Sequence, residues 1–181
     1  MSETRKHSLN PKLYWLQESP IGRLAISARP RGGDWLEDEV RGWRNQDVDV
    51  VVSLLTEQEN EELDLKRESS VAEINGIRFY SFPIEDRGVP ARPSELEHLA
   101  MQLVSEIGQG KNVAVHCRQG VGRSSLVSAA VLISKGEDVD EALKSISRAR
   151  GLEVPETIEQ RKWLERFAKL HAANGLAREN R

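Results

Sequence analysis

Cysteine occurs once in the 181 residues, tyrosine twice and phenylalanine three times, and basic residues do not outnumber acidic ones. A single thiol cannot build a disulfide framework, a cysteine-ligated metal centre or a dithiol redox pair. With 26 Lys and Arg against 29 Asp and Glu, the formal net charge is −3. That balance argues against a dedicated nucleic-acid binder, which would show a basic excess or stripe. Met1 to Ser8 contains no apolar stretch of signal length, and no run in the chain approaches the ~20 apolar residues of a membrane span. No membrane span is therefore expected, and one free thiol without a targeting segment indicates a reducing cytoplasm. What is present, 38% apolar and 30% charged residues, suits one α/β unit with a moderate core.

The lone cysteine, Cys117, stands in the stretch His116-Cys117-Arg118-Gln119-Gly120-Val121-Gly122-Arg123-Ser124. Upstream, Lys111 to His116 has the pattern of a short buried strand; downstream, Leu126 to Ser134 is apolar enough to be a buried helix. Strand, glycine-punctuated loop and helix in this order let the intervening backbone N–H groups curl around one anion, capped by the first turn of the helix. Gly120 and Gly122 permit the turn. The Arg123 guanidinium can grip two phosphate oxygens through a bidentate fork. The same donors stabilise a thiolate at Cys117 when the site is empty, which suits phosphate-ester hydrolysis by a sulfur nucleophile. The alternative for a lone cysteine is a small buried apolar residue; the strand, loop and helix around it favour the nucleophile.

This stretch resembles the signature His-Cys-x5-Arg-Ser/Thr of the cysteine-based protein tyrosine phosphatase superfamily, in particular its compact dual-specificity branch. The resemblance implies a nucleophile at Cys117, a phosphate and transition-state clamp at Arg123, and substrate contacts from the amides of Arg118, Gln119, Gly120, Val121 and Gly122. It also implies that the Ser124 hydroxyl stabilises the departing thiolate, although by position alone Ser124 is equally an ordinary serine near a helix start. A thiolate mechanism needs a group that protonates the leaving oxygen. Pro83 to Pro90, Pro-Ile-Glu-Asp-Arg-Gly-Val-Pro, must be a loop. It resembles the superfamily's general-acid loop, on which match Asp86 is the acid and Glu85 its rival. Val154-Pro155-Glu156-Thr157-Ile158-Glu159-Gln160 resembles a segment in which some tyrosine phosphatases carry Thr and Gln at this spacing, the Gln placing the water that hydrolyses the phospho-enzyme. The resemblance gives Gln160 that role; an ordinary helix start after Pro155, with Thr157 and Gln160 facing solvent, is the other reading.

Along the rest of the chain, Leu13 to Gln17 and Leu24 to Ala28, around Pro20 and Gly22, read as short strands and Trp35 to Arg44 as an amphipathic helix. Val48 to Leu55 reads as a buried parallel strand, Thr56 to Asn75 as an acidic, mostly helical stretch capped by Thr56, and Ile77 to Phe82 as a further strand. Helical periodicity marks Pro93 to Ile107 and Val139 to Arg148, and a last helix from near Pro155 carries Trp163, Phe167 and Leu170 toward the core. His116, ending a strand, is expected to be a buried, hydrogen-bonded scaffold residue and not a base. Strands alternating with helices predict a three-layer α/β domain, helices flanking a central sheet. The resemblance adds that the sheet is mostly parallel, with the site at the carboxyl ends of its strands. Residues 1–12 are expected to be a polar, flexible N-terminus, 13–171 the phosphatase domain and 172–181 a polar C-terminal tail.

The function implied by the resemblance is a cytoplasmic protein phosphatase that acts through a cysteinyl-phosphate intermediate on phosphotyrosine, with phosphoserine and phosphothreonine as further candidates. It implies phosphorylated proteins or peptides as partners, no nucleic acid, no cofactor and no metal; a monomer is favoured, the oligomeric state being open. Two alternatives remain. One is a phosphoinositide or other small-molecule phosphomonoester phosphatase, although phosphoinositide members usually add lysines to the loop and Arg118 to Gly122 holds none. The other is a non-catalytic phosphate-binding module, although such members tend to lose one of the Cys, Arg and Asp. Arsenate reduction also uses a Cys-x5-Arg loop, but it needs further cysteines.

Overall fold

A computed structural model of the chain describes residues 10–16 and 21–179. Most of the expected N-terminal segment 1–12, and Gln17 and Pro20, lie outside the described residues. Strands β1 (Leu13–Trp15), β2 (Leu24–Ala28), β3 (Val50–Ser53), β4 (Arg78–Ser81) and β5 (Val113–Cys117) form one sheet in the order β1-β2-β5-β3-β4. Only β1 pairs antiparallel, with β2; every other pair is parallel. The cysteine-bearing strand β5 thus lies at the centre, with Ala28 and Ser53 of its neighbours level with Cys117 and His116. The helices are α1 (Leu36–Arg44), α2 (Glu57–Glu62), α3 (Glu68–Ile74), α4 (Pro93–Gly108), α5 (Gly122–Ser134), α6 (Val139–Arg150) and α7 (Ile158–Glu179). Among the described residues none of these is long and apolar enough to cross a membrane.

The near-continuous apolar runs of the central strands follow from burial on both faces. Because successive side chains alternate, Val50, Val52, Val113, Val115 and Cys117 pack on one side in the core shared with α4 to α7. Val51 and Ala114 face the other side, against Val40 and Trp43 of α1 and Val71 and Ala72 of α3. The expected three-layer arrangement around a mostly parallel sheet is the one observed. Helix α5 occupies the middle of the larger core; every residue from Gly122 to Ile133 is buried, and it packs on β2, β5, α4, α6 and α7. Asp138 caps α6 by accepting the Glu141 N–H at 2.9 Å, and Gly151 ends that helix at φ 71°.

The acidic stretch after Thr56 is mostly helical as expected, as two short helices, because Asp64 takes a left-handed conformation (φ 55°) and the chain turns in to bury Leu65. Two local expectations change. The last helix begins at Ile158 and not near Pro155, and it continues through residues 172–179. Its inward stripe is Trp163, Leu164 and Phe167, while Leu170 is 49% exposed. His171, one turn beyond Phe167, stacks on that ring at 6.0 Å and reaches Glu97 of α4 at 3.2 Å, so it takes the inward place. Phe167→Ala should therefore destabilise the fold by about 3–5 kcal/mol, whereas Leu170→Ala should stay within about 0.5 kcal/mol of wild type. Urea unfolding of both variants checks this, and equal losses would contradict the packing.

Candidate active site

The loop between Cys117 and α5 owes its shape to glycine and to outward-turned carbonyls. Gly120 has φ 68°, and a Cβ there would lie 2.6 Å from the Ser27 carbonyl oxygen, so no other residue fits. The Gly120 carbonyl accepts a hydrogen bond from Arg150 Nε at 2.6 Å, and the Arg118 carbonyl accepts one from the Arg29 N–H at 3.4 Å. In a trans peptide the C=O and the following N–H point in opposite directions. Carbonyls turned outward at 118 and 120 therefore turn the N–H groups of Gln119 and Val121 inward. Both residues line a cavity of about 160 Å³ together with Cys117, Arg118, Gly122 and Arg123, closed by Asp86, Arg87 and Glu156. The first amides of α5, which have no intrahelical acceptor, and the positive end of its dipole lie on this cavity. Cys117 Sγ lies 3.4 Å from the Ser124 hydroxyl, and Ser124 is fully buried.

Arg123 is 2% exposed, so its charge needs partners. Glu59 supplies two: Nη1 donates to its Oε2 at 2.7 Å and Nη2 to its Oε1 at 2.9 Å. Nη1 also donates to the Ile84 carbonyl at 2.9 Å, and Nη2 lies 3.1 Å from Asp86 Oδ1. With Glu59 and Ile84 on the far side, the edge formed by Nε and the outer hydrogen of Nη2, where Asp86 sits, is the one a phosphate fork would use. Burial opposes ionisation of Glu59, but hydrogen bonds from Arg123 and the Thr56 N–H, and the charges of Arg123 and Arg118, outweigh it and hold the carboxyl below its ordinary range. Burial likewise opposes the Arg123 charge; Glu59, Cys117 and Asp86 overcome it and raise the guanidinium further.

The loop carrying Asp86 is clamped at several points. Ile84 is buried and its N–H donates to Leu54 O at 3.1 Å. Gly88 N–H closes a turn onto Glu85 O at 2.8 Å, with Arg87 at φ 59° inside it. Trp163 Nε1 and Gln160 Nε2, both from α7, donate to Pro90 O at 3.1 Å and Gly88 O at 3.2 Å. The turn sets Asp86 over the cavity and leaves Glu85 exposed and outside it.

Of the site residues read from the sequence, Cys117, Arg118, Gln119, Val121, Gly122, Arg123 and Asp86 meet at one cavity. Gly120 shapes the loop from behind, and Ser124 touches the sulfur. Gln160 is fully buried and is not among the cavity-lining residues. Its Oε1 accepts the N–H groups of Glu156 and Thr157, while Thr157 Oγ1 accepts the Gln160 N–H, which is a capping box at the start of α7. His116 is buried with Nε2 2.7 Å from Glu68, and its ring packs tilted against Trp43 with ring centroids 5.7 Å apart on the α1 side of the sheet. Three site residues escaped the sequence reading: Glu59, Arg150 and Glu156. Thr56-x-x-Glu59 is itself a capping-box pattern, a signal that marks Glu59 as fixed in space; nothing local marks the other two.

Comparison with known proteins agrees with this geometry. The chain is 30% identical over 107 residues to cyclin-dependent kinase inhibitor 3 of Homo sapiens, covering 58% of this chain and 50% of that one, so it spans about half the length of this relative. Its fold matches the kinase associated phosphatase, solved with its catalytic-site cysteine replaced by serine, at a TM-score of 0.78 and 20% identity, over 90% of this chain and 97% of that one. The active form of Tk-PTP matches at a TM-score of 0.71 and 28% identity, over 88% and 97% of the two chains. The profile of a phosphatase family covers residues 27–137, from the end of β2 through the signature loop and α5. The chain belongs to that family, Tc-R-P, described as polymorphic toxin system, DSP-PTPase phosphatase.

Proposed function

We propose that residues 13–171 form a catalytic unit that removes phosphate from phosphorylated proteins through a cysteinyl-phosphate, with phosphotyrosine as first substrate and phosphoserine and phosphothreonine as further ones. The observation that carries this reading is the convergence of Cys117, Arg123 and Asp86 on one amide-lined cavity at the N-terminus of α5. The Cys117 sulfur attacks phosphorus, the inward amides and the Nε edge of Arg123 hold the non-bridging oxygens, and Asp86 protonates the leaving oxygen. Water then gives a proton to the Asp86 carboxylate, now acting as base, as its oxygen bonds to phosphorus, the P–S bond breaks and its electron pair returns to Cys117 as the thiolate. Asp86 and the phosphate compete for the same guanidinium hydrogen, so substrate entry frees Asp86 from Arg123 for the leaving group. A lone catalytic thiol stays reduced in a reducing compartment, which favours the cytoplasm.

Cys117→Ser should abolish turnover while the fold and anion binding persist, because the backbone donors are untouched; phosphate-dependent thermal stabilisation and a phosphotyrosyl-peptide assay check both. Turnover near wild type would rule out the thiol mechanism. Asp86→Ala should lower turnover of phenyl phosphate or a phosphopeptide by roughly the ~10²–10⁴ of general acid catalysis, with a smaller loss on nitrophenyl phosphate, whose leaving group departs unaided. Equal losses on good and poor leaving groups would remove Asp86 from the role.

Glu59→Gln addresses the clamp. A carboxyl held below its ordinary range contributes stability that is present above that range and lost as pH falls through its folded value. The wild type should thus lose stability on acidification more steeply than Glu59→Gln, which has no such group. At neutral pH the variant should be less stable by about 3 kcal/mol, as when one partner of a buried pair is removed, with kcat/KM reduced. Parallel stability–pH curves in the two proteins would show that Glu59 is not the ionised partner of Arg123.

A further inference from the structure

We propose that the groove between α6 and the turn before α7 seats the stretch of a phosphoprotein that flanks its phosphorylated residue, and that it selects a lysine or arginine beside that residue. This rests on the phosphatase reading above and narrows its substrate class. The catalytic cavity holds about 160 Å³, below the ~300–1,000 Å³ of pockets that enclose a whole small ligand, so the chain that carries the phosphate must lie outside it. Next to it is a groove of about 640 Å³, and Glu156 lines both. A chain that leaves the cavity over Glu156 therefore enters the groove.

The walls of the groove are fixed. One is a face of α6, where Asp140, Leu143, Lys144, Ser147 and Arg148 recur at i, i+3, i+4, i+7 and i+8. The other is the segment 153–158 with Arg161. Ser147 Oγ accepts the Val154 N–H at 3.2 Å, Gln160 Oε1 accepts the Glu156 N–H at 3.1 Å, and the Asp140–Arg161 ion pair bridges the two walls. A groove built before its ligand arrives lowers the cost of binding. Ile158 lines it at 76% exposure, with Pro155, Leu143 and Val154, and so offers apolar surface to a side chain of the bound segment.

The charges decide the occupant. Arg161 is paired with Asp140 and Glu165, and Lys144 with Glu141. Among the described residues Glu153 has no ion pair, and that of Glu156 is to Arg87 Nη1 at 3.9 Å, beyond hydrogen-bond distance. Two uncommitted carboxylates on the path out of a phosphate site repel an acidic flank and attract a lysine or arginine. Arg148, the remaining cation of the lining, only donates hydrogen bonds and suits the carbonyls of an extended peptide.

The test is kcat/KM of the full chain on phenyl phosphate and on phosphotyrosyl peptides with Arg, Ala or Glu immediately before or after the phosphotyrosine and Leu two residues further on. On one side of the phosphotyrosine only, Arg should exceed Glu by roughly tenfold, the sum of a few exposed charge contacts. Glu153→Lys should bring that preference below threefold, and Ile158→Asp should lower the rate on the favoured peptide by about fivefold. Both variants should keep phenyl phosphate turnover within twofold of wild type, because that substrate does not reach the groove. A wild-type preference below threefold, the same preference on both sides, or a preference that survives Glu153→Lys would overturn the proposal. So would an unchanged peptide rate in Ile158→Asp, or losses on phenyl phosphate equal to those on the peptides. Failure of the phosphoprotein reading itself looks different: the wild type then turns over phenyl phosphate and no peptide, or neither.

Discussion

A guanidinium at 2% exposure is the constraint around which this site is organised. An uncompensated charge in that position costs several kcal/mol, so Arg123 must find acceptors, and those it finds come from elements distant in sequence. Glu59 on α2 takes one hydrogen from each terminal nitrogen, and the Ile84 carbonyl, at the root of the acid loop, takes another. One side chain thereby ties α5, α2 and the loop after β4 together. The same side chain lines the cavity that holds Cys117, with Asp86 at its Nη2. Fold stability and phosphate recognition share the same atoms, so the clamp is oriented before any substrate arrives and little reorganisation remains for the reaction.

Two capping boxes hold this arrangement in place. Thr56 and Glu59 start α2, Thr157 and Gln160 start α7, and in each the side chain at the third helical position does more than satisfy its helix. Glu59 reaches on to Arg123 and Gln160 to the acid loop at Gly88. Local helix initiation thus fixes groups that also serve the site. The opposite side of the loop is held by Arg150, whose Nε fixes the Gly120 carbonyl while its guanidinium lies 3.7 Å over the Tyr14 ring of β1. The edge strand is in this way connected to the orientation of the cradle.

The cradle was legible because its parts are consecutive: Cys117, the two glycines and Arg123 sit in one loop, and the valine-rich runs on either side of the chain's middle declared the strands that present it. Asp86 was legible for a similar reason, since its loop is marked by prolines and a glycine and its role by resemblance. Glu59 was not, because its contact to Arg123 spans 64 positions and depends on β3 lying beside β5. Arg150 and Glu156 depend in the same way on how α6 and the α7 turn come back over the loop. Gln160 owes its place to packing: its amide caps α7, donates to the acid loop at Gly88, and lies with Nε2 3.1 Å from where a Cβ at Gly122 would stand. The break at Asp64 and the exposure of Leu170 likewise follow from tertiary contacts that override helical periodicity.

The central claim is that phosphate passes through the sulfur of Cys117. Rapid acid quenching of the wild-type chain during turnover of a phosphotyrosyl peptide, followed by peptide mapping, tests it most directly. Phosphate found on the peptide that contains Cys117, appearing before inorganic phosphate and decaying with it, is the predicted result. Inorganic phosphate formed at full rate with no phosphorylated Cys117 peptide at any quench time would contradict it.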